Sequence, residues 1–158
     1  MREDGPAIPP AGPATATLPL ICVTAAVIEE AGRILIAQRP AGDRLAGLWE
    51  FPGGKIEAGE EPAACLVREL YEELGVEVAV EECLLVHRHR YEHAVIELAS
   101  YRVRHLAGTF QPHAHAALAW VRPQEMGRYP FAPADLPTVA LVQAAFSGRV
   151  CSGEAGRT

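Results

Sequence analysis

The sequence predicts an α/β (α+β) sandwich in which a mixed β-sheet is flanked by helices. Three observations support this fold class. Short runs of apolar and β-branched residues recur along the chain. A segment with helical periodicity separates the third run from the fourth, and a second such segment lies near the C-terminus. The predicted order of elements is therefore β-β-β-α-β-β-β-β-α.

The strands are predicted from apolar runs bounded by turn residues. They cover residues 20–28, 33–38, 48–51, 76–80, 84–90, 94–105 and 117–122. A turn at residues 29–32 makes a hairpin of the first two strands, and a turn at residues 91–93 makes a second hairpin. Residues 39–47 form a loop, the third strand enters a Pro-Gly-Gly sequence at residues 52–54, and residues 137–146 form the last helix.

The first helix is bounded by its own sequence and should be about thirteen residues long. Pro62 suits the first turn, where a missing N–H costs no hydrogen bond, and Gly75 suits the left-handed position just past the C-terminal end. One side of this helix is apolar and is predicted to face the core. That apolar stripe consists of Leu66, Val67, Leu70 and Leu74.

The same helix carries three carboxylates on one side. Glu69, Glu72 and Glu73 have i, i+3 and i+4 spacing, which makes them neighbours on the helix surface. Like charges so placed repel each other, but Mg²⁺ takes oxygen ligands and commonly bridges carboxylates to substrate phosphates. Arg68 can hold one of the carboxylates in a fixed rotamer through a forked hydrogen bond. The motif predicts metal-assisted phosphate chemistry, with a solvated acidic surface as the alternative for the helix taken alone.

Length and composition predict one folded domain with two tails. The chain has 158 residues, of which 49% are hydrophobic, and residues 20–146 are long enough to bury a core. Residues 1–19 are rich in proline and small residues and are predicted to form a disordered tail, and residues 147–158 a flexible one. The charged start lacks the apolar run of a secretory signal, and no segment approaches the length of a membrane span.

Cysteine spacing and charge limit the possible partners. Cys22, Cys65, Cys83 and Cys151 form no Cys-x-x-Cys pair, so we expect reduced, structural thiols in a cytoplasmic protein. The net charge of −6 argues against a broad grip on nucleic acid, which requires basic patches. We therefore predict a small polyanionic partner, no nucleic acid and no membrane, for a monomer or homodimer.

The residues around the acidic helix resemble the signature of the Nudix hydrolases. The matching positions are Gly54, Glu60, Arg68-Glu69-Leu70, Glu72-Glu73 and Gly75-Val76. The resemblance implies a Nudix fold and a metal site built from the carbonyl of Gly53 with Glu69 and Glu73, binding Mg²⁺ or alternatively Mn²⁺. It implies that Glu72 shares this site through water or a second ion. It also implies that Glu60 either lies just outside the metal ligands and supports them, or fixes the conformation of the loop before the helix.

The strand before the helix is similar to the MutT-type branch of this family, which hydrolyses nucleoside triphosphates to the monophosphate and pyrophosphate. The similar stretch is Leu-Trp-Glu-Phe-Pro-Gly-Gly-Lys-Ile-Glu at residues 48–57. The resemblance implies that Arg39 contacts the phosphates, with Lys55 as the weaker candidate. It implies that Phe51 and Asp135 build the base pocket.

Two departures from the MutT pattern bear on specificity and catalysis. Asp135 stands where 8-oxoguanine-selective enzymes carry asparagine, and its setting resembles the branch that hydrolyses CTP and modified dCTP; a helix N-cap is the alternative. Related enzymes often carry a glutamate at or near Ala114, which here is flanked by His113 and His115. Either imidazole could serve as ligand or base, the helix glutamates could act alone, or both histidines could lack a role. The remaining hairpin histidines are predicted to line a polar sheet rim: His87, His89 and His93.

The sequence therefore favours Mg²⁺-dependent hydrolysis of oxidised or modified nucleoside triphosphates, as in 8-oxo-dGTP diphosphatases that sanitise the nucleotide pool. The alternatives are a CTP or modified-dCTP pyrophosphohydrolase, and the same chemistry on ADP-ribose, dinucleoside polyphosphates or a capped RNA end. A nucleotide-binding module that has lost catalysis is a further alternative, to which Ala114 lends support. The three intact helix glutamates argue against it.

Overall fold

The computed structural model describes residues 17–147. The predicted tails at residues 1–19 and 147–158, and Cys151 within the second, lie outside this range except for residues 17–19 and Ser147. The strands are β1 Leu20–Glu30, β2 Arg33–Gln38, β3 Trp49–Glu50, β4 Gly53–Lys55, β5 Glu77–Arg90, β6 Val95–Ala107 and β7 Ala117–Val121. The helices are α1 Pro62–Leu74 and α2 Leu136–Ser147, with 3₁₀ segments at Pro123–Arg128 and Pro133–Asp135.

The strands form one mixed seven-stranded sheet, which confirms the predicted fold class. The order is β3-β2-β1-β6-β5, with β4 paired to β1 and β7 paired to β2. β1 and β6 are parallel, whereas β5 and β6 form a long antiparallel hairpin. The predicted β1–β2 hairpin is present, but the two strands pair only next to their turn, where Glu29 faces Ile34 and Glu30 faces Arg33. Beyond that point β4 pairs with β1 while β3 and β7 pair with β2.

Successive side chains of β1 point alternately into two hydrophobic clusters, one on each face of the sheet. Ala25 and Val27 point into the cluster beneath α2, and Ala26 and Ile28 point into the cluster beneath α1. The α2 cluster also contains Ile34, Ile36, Phe51, Leu98, Val121, Met126, Phe131, Val139 and Val142. The α1 cluster also contains Leu35, Leu66, Leu70, Leu74, Val76, Val78 and Val103. The chain thus builds a helix–sheet–helix sandwich.

Helix α1 begins and ends where its sequence indicates. Pro62 opens the 13-residue helix, and Gly75 closes it in the left-handed conformation, with φ of 70° and an N–H that donates to the carbonyl of Tyr71. The predicted apolar stripe is right for the three leucines but wrong for Val67, which is 44% exposed. Cys65 takes the buried position instead.

Two strands differ from the sequence-based expectation. Residues 76–80 and 84–90 were expected to be separate strands, but β5 runs continuously through both ranges, with register shifts around Cys83. Glu81 and Glu82, which lie between the two predicted strands, pair with Arg104 and Arg102 of β6. β4 was not predicted at all, because a Gly-Gly-Lys sequence has low strand propensity. Within the described range, no helix has the length and apolar character needed to cross a bilayer.

Candidate active site

β4 places two glycines between β1 and α1. Gly53 lies opposite Ala25 and Gly54 opposite Thr24 in the antiparallel pairing with β1. A Cβ atom on Gly53 would collide with the carbonyl oxygen of Thr24, and a Cβ atom on Gly54 would collide with the carboxylate of Glu69. Gly53 therefore requires glycine, because its neighbour is backbone, whereas a side chain at Gly54 would displace the Glu69 carboxylate from its present position.

Arg68 organises the acidic side of α1. Its Nε and Nη2 atoms donate to the two oxygens of Glu60, each over 2.8 Å, which is a bidentate fork. Its Nη1 atom donates to Glu69 over 2.9 Å and to Glu72 over 3.4 Å. The hydrogen bond from Arg68 holds the pKa of Glu60 down at about 2. Because Glu60 also accepts from the backbone N–H of Glu57, the geometry favours the loop-fixing role among the two left open for it.

Glu73 is the innermost of the three helix carboxylates. Its Oε2 atom is buried and has no partner among the described residues. Burial above all, followed by the negative charges of Glu69 and Glu50, raises the pKa of Glu73 to about 8. The Glu69 side chain is 15% exposed, whereas that of Glu72 is 58% exposed. Glu69 and Glu73 therefore turn inward together, and Glu72 faces solvent.

This arrangement fits a divalent cation. Two adjacent inward carboxylates, one with an unpartnered buried oxygen, have an electrostatic cost that a bound cation would remove. Within residues 17–147, no group of three or more histidine, cysteine or acidic side chains is arranged so that it could hold a metal ion by itself. Two inward carboxylates nevertheless fit Mg²⁺, which is usually bound through one or two carboxylates together with substrate phosphates.

A second charged cluster surrounds Glu50 of β3. Its Oε2 atom accepts from Arg39 over 2.7 Å, and its Oε1 atom accepts from His115 over 3.1 Å. Arg39 also donates to Asp43 over 2.7 Å. Its charge is thus already shared by two carboxylates, while its Nε atom is buried without a partner in the part of the chain that the structure describes. Lys55 is exposed and, within residues 17–147, makes no hydrogen bond or ion pair through its ammonium group.

A cavity of about 420 Å³ connects the two clusters. Its wall contains both glycines and the following sequence-predicted residues: Arg39, Phe51, Lys55, Glu73, His115 and Asp135. Glu69 lies directly behind this wall, against Gly54. The other predicted residues lie outside the wall: Glu60, Arg68, Glu72 and His113. The structure thus separates the two loop histidines, because His115 is almost fully buried beside Glu50 while His113 is exposed near Gly75.

Asp135 faces the cavity and does not serve as a free surface acid. It is 7% exposed, and its Oδ1 atom accepts from the backbone N–H of Phe51 over 3.0 Å. Burial, and then the negative charge of Glu50, raises its pKa to about 8. At neutral pH the side chain is therefore mainly a carboxylic acid, which can both donate and accept. In this state the side chain resembles asparagine in its hydrogen bonding.

Sequence reasoning missed three residues around this cavity. Glu50 and Tyr91 were given no role, and His87 was assigned to a polar rim. The structure instead directs Glu50 toward Arg39 and joins His87 and Tyr91 to the backbone of Ala134. The only local signal was a charged residue within an apolar strand, at Glu50.

Comparisons with known proteins identify the family that this chain resembles. The NUDIX domain model matches residues 23–141. The chain is 46% identical over 130 residues to the CTP pyrophosphohydrolase of Escherichia coli (strain K12), covering 82% of this chain and 96% of that protein. It is 39% identical over 129 residues to the putative 8-oxo-dGTP diphosphatase 2 of Mycobacterium tuberculosis (strain ATCC 25618 / H37Rv), covering 80% and 90% of the two chains.

Solved structures give the same result. The solution structure of the E. coli ORF135 protein is similar with a TM-score of 0.75 and 44% identity, covering 89% of this chain and 100% of that one. The crystal structure of a MutT NUDIX hydrolase from Burkholderia pseudomallei is similar with a TM-score of 0.68 and 27% identity, covering 78% and 98%.

Proposed function

The chain belongs to the Nudix hydrolase family, and from this premise we propose that it hydrolyses nucleoside triphosphates to the monophosphate and pyrophosphate, with a cytosine nucleotide as the preferred substrate. The reaction class agrees with the sequence prediction. The observation that carries the choice of base is the buried Asp135, whose carboxyl group lines the cavity beside Phe51.

The reaction requires one water molecule and no redox partner. As the resemblance to MutT-type enzymes implies, the water oxygen forms a bond to the β-phosphorus, and the bond from that phosphorus to the oxygen bridging the α-phosphate breaks. The nucleoside monophosphate leaves with the bridging oxygen, and the oxygen of the attacking water stays on the pyrophosphate. One proton of the water must be accepted during the attack.

The carboxylates of α1 supply the metal ligands and the proton acceptor. Gly53, Glu69 and one oxygen of Glu73 would hold Mg²⁺ or Mn²⁺, with Glu72 reaching the site through water. A divalent cation bound there supplies charge neutralisation for the triphosphate and a lower pKa for the attacking water. A bound cation would favour the ionised form of Glu73, whose pKa is otherwise raised to about 8, and the oxygen of this carboxylate that does not hold the cation accepts the proton. His115 is the alternative acceptor, because its Nε2 atom contacts Glu50 while its Nδ1 atom is buried without a partner among the described residues.

The cations of the cavity divide the work of phosphate binding. Arg39 is held between Glu50 and Asp43 over 2.7 Å to each, so it is positioned but largely neutralised. Lys55 lies on the cavity wall with no ion pair in the described part of the chain, so it can place its full charge against a phosphate oxygen. We therefore rank Lys55 above Arg39 as the phosphate contact, which reverses the order expected from the resemblance.

The base is read by Asp135 and packed by apolar groups. A neutral carboxylic acid can accept from the exocyclic amine of cytosine and donate to its ring nitrogen, which is a bidentate match. Phe51 lies at the side of this acid, supported by the ring of Phe131 at 5.8 Å. The identity of 46% to a protein named CTP pyrophosphohydrolase supports the same choice.

A panel of nucleoside triphosphates with Mg²⁺ tests the proposal. We expect pyrophosphate as the inorganic product and the highest kcat/KM for CTP or a modified dCTP. Asp135→Leu, whose side chain can neither donate nor accept, should change the ranking of bases while retaining hydrolysis, whereas Asp135→Asn should keep the ranking. Release of orthophosphate alone would contradict the proposed bond cleavage, and an unchanged ranking in Asp135→Leu would contradict the base assignment.

Hydrolysis of 8-oxo-dGTP is the second candidate, which the sequence ranked first. It is supported by the 39% identity to a putative 8-oxo-dGTP diphosphatase. A neutral Asp135 can also serve the donor and acceptor pair that oxidised guanine presents, as asparagine does. The same panel distinguishes the two candidates, because a cytosine enzyme should turn over CTP with a higher kcat/KM than 8-oxo-dGTP.

A further inference from the structure

We propose that His87 and Tyr91 of the β5–β6 hairpin are positioning residues that set the base selectivity of Asp135 by holding both backbone polar groups of Ala134. The inference rests on the proposed function, in which Asp135 reads the base. It concerns side chains of β5 and the turn after it, which belong neither to the acidic helix nor to the glycine-rich loop.

The contacts converge on a single residue. The N–H of Ala134 donates to the hydroxyl oxygen of Tyr91 over 3.0 Å, and Nε2 of His87 donates to the carbonyl oxygen of Ala134 over 2.7 Å. The N–H of Asp135 donates to the carbonyl oxygen of Ala132 over 2.9 Å. The carbonyl of Ala134 and the N–H of Asp135 belong to the same peptide plane, so this plane is held from both edges.

The 3₁₀ segment needs such external support. Pro133–Asp135 is only three residues long, and a single 3₁₀ turn has few hydrogen bonds of its own. The backbone N–H of Phe51, next to β3, holds the carboxyl group of Asp135. The hairpin holds the backbone of the segment from the opposite side. Ala134 and Asp135 are 5% and 7% exposed, so a lost contact would leave a nearly buried polar group with little access to water.

Packing alone does not account for a histidine at position 87. Its Nε2–H donates to Ala134, which leaves Nδ1 as an unprotonated acceptor, and that atom is buried without a partner among the described residues. An apolar side chain of similar size would fill the space without that desolvation cost. The histidine therefore contributes through its hydrogen bond to Ala134. Burial raises the pKa of Tyr91, so its hydroxyl group stays neutral and available at physiological pH.

The held segment forms part of the substrate cavity. Tyr91, Ala134 and Asp135 all line it. A shift of Ala134 would therefore move the Asp135 carboxyl group relative to the base, while the acidic helix on the other side of the cavity would keep its place. The expected effect is on discrimination between bases and not on hydrolysis of every nucleotide alike.

The test compares nucleotide pairs that differ at the base edge: CTP with UTP, and 8-oxo-dGTP with dGTP. Tyr91→Phe removes only the hydroxyl group, and His87→Leu removes the donor. In the nucleotide pair whose discrimination depends on Asp135, each of these two variants should lower the kcat/KM of the preferred nucleotide relative to that of the other. The expected loss in this ratio is roughly three- to tenfold, the effect of one lost hydrogen bond. His87→Gln places an amide donor near the position of Nε2 and should restore most of the ratio. Tyr71→Phe is the matched control, since that phenol is 62% exposed on α1.

Asp135→Leu separates the possible outcomes, because leucine has a similar shape but can neither donate to a base nor accept from it. In that background, Tyr91→Phe and His87→Leu should change the ratio no further. Equal losses for both members of a pair, or an additive loss in the Asp135→Leu background, would show that the contacts only stabilise the fold. If Asp135→Leu changes selectivity but the hairpin variants do not, this inference fails and the proposed function stands. If Asp135→Leu leaves selectivity unchanged, the base assignment fails first.

Discussion

The carboxylate of Glu69 occupies the space beside the Cα atom of Gly54 that any side chain would fill. This contact couples the glycine-rich strand to the metal-binding face of α1. The carboxylate can occupy this space only because residue 54, fifteen positions earlier in the chain, has no side chain. The glycine-rich strand and the acidic helix therefore act as one unit.

We predict that Gly54→Ala lowers kcat/KM about 100-fold, because a displacement of catalytic groups by about 1 Å has an effect of that size. The concentration of Mg²⁺ needed for half-maximal activity should rise as well. Gly127→Ala is the matched control, since a Cβ atom there meets nothing within 4 Å. Equal activity of the two variants would show that Glu69 does not need its present position.

We predict that Glu73→Gln has opposite effects on activity and stability. Turnover should fall by roughly two to four orders of magnitude with the loss of the proton acceptor. Thermal stability in EDTA should increase, because the substitution removes a buried carboxylate that lies near Glu69 and Glu50. Glu72→Gln, at an exposed position, should leave the metal-free melting temperature nearly unchanged.

Removal of the metal supplies an independent check on the same carboxylate. Mg²⁺ should raise the melting temperature of the parent protein in proportion to the logarithm of its concentration above the dissociation constant. The increase should be much smaller for Glu73→Gln. A variant that keeps both the parent's turnover and its response to Mg²⁺ would contradict the assignment of Glu73.

We predict that Arg68→Lys weakens Mg²⁺ binding roughly 10- to 100-fold, as expected when groups that orient metal ligands are changed. Lysine cannot reproduce the fork to Glu60 while also donating to Glu69. Mg²⁺ titrations of activity and of melting temperature measure the effect. Arg104→Lys provides the control, because Arg104 is 64% exposed and lies 3.6 Å from its partner Glu81. Similar Mg²⁺ affinities for both variants would refute the positioning role.

The parts of the molecule that could be predicted are those encoded locally. Helix α1 is bounded by Pro62 and Gly75, its leucines repeat with helical spacing, and its acidic motif lies in one continuous segment. Each signal depends on neighbours within a few turns, so the sequence alone fixes the helix and the relative order of its carboxylates. The strand pair of β1 and β2 was accessible for the same reason.

The parts that could not be predicted depend on contacts between distant residues. Asp135 contacts Phe51 across 84 positions, and His87 contacts Ala134 across 47. The spacing of residues in the sequence gives no sign of such contacts. The protonation of Asp135 was likewise inaccessible, because it follows from burial and from the proximity of Glu50. The break assumed within β5 arose because charged residues at 81 and 82 look like a turn unless their partners on β6 are known.

The final prediction concerns the pH dependence of stability, to which Asp135 should contribute. Burial raises the pKa of Asp135 to about 8, from an ordinary value of roughly 4. Between these values the folded protein retains a proton that the unfolded chain has released. The stability this proton provides is fully present below about pH 4 and is lost progressively as the pH rises to about 8.

Asp135→Asn removes this titration while keeping the acceptor for Phe51. The melting temperature of the variant minus that of the parent, measured without metal from pH 5 to pH 9, should therefore increase with pH. It should level off above about pH 8, where Asp135 is ionised in both states of the parent. Glu73 titrates in both proteins, so its contribution cancels in the difference. A difference that stays constant across this range would mean that Asp135 is already ionised in the folded protein, and the neutral acid could not then donate to a base.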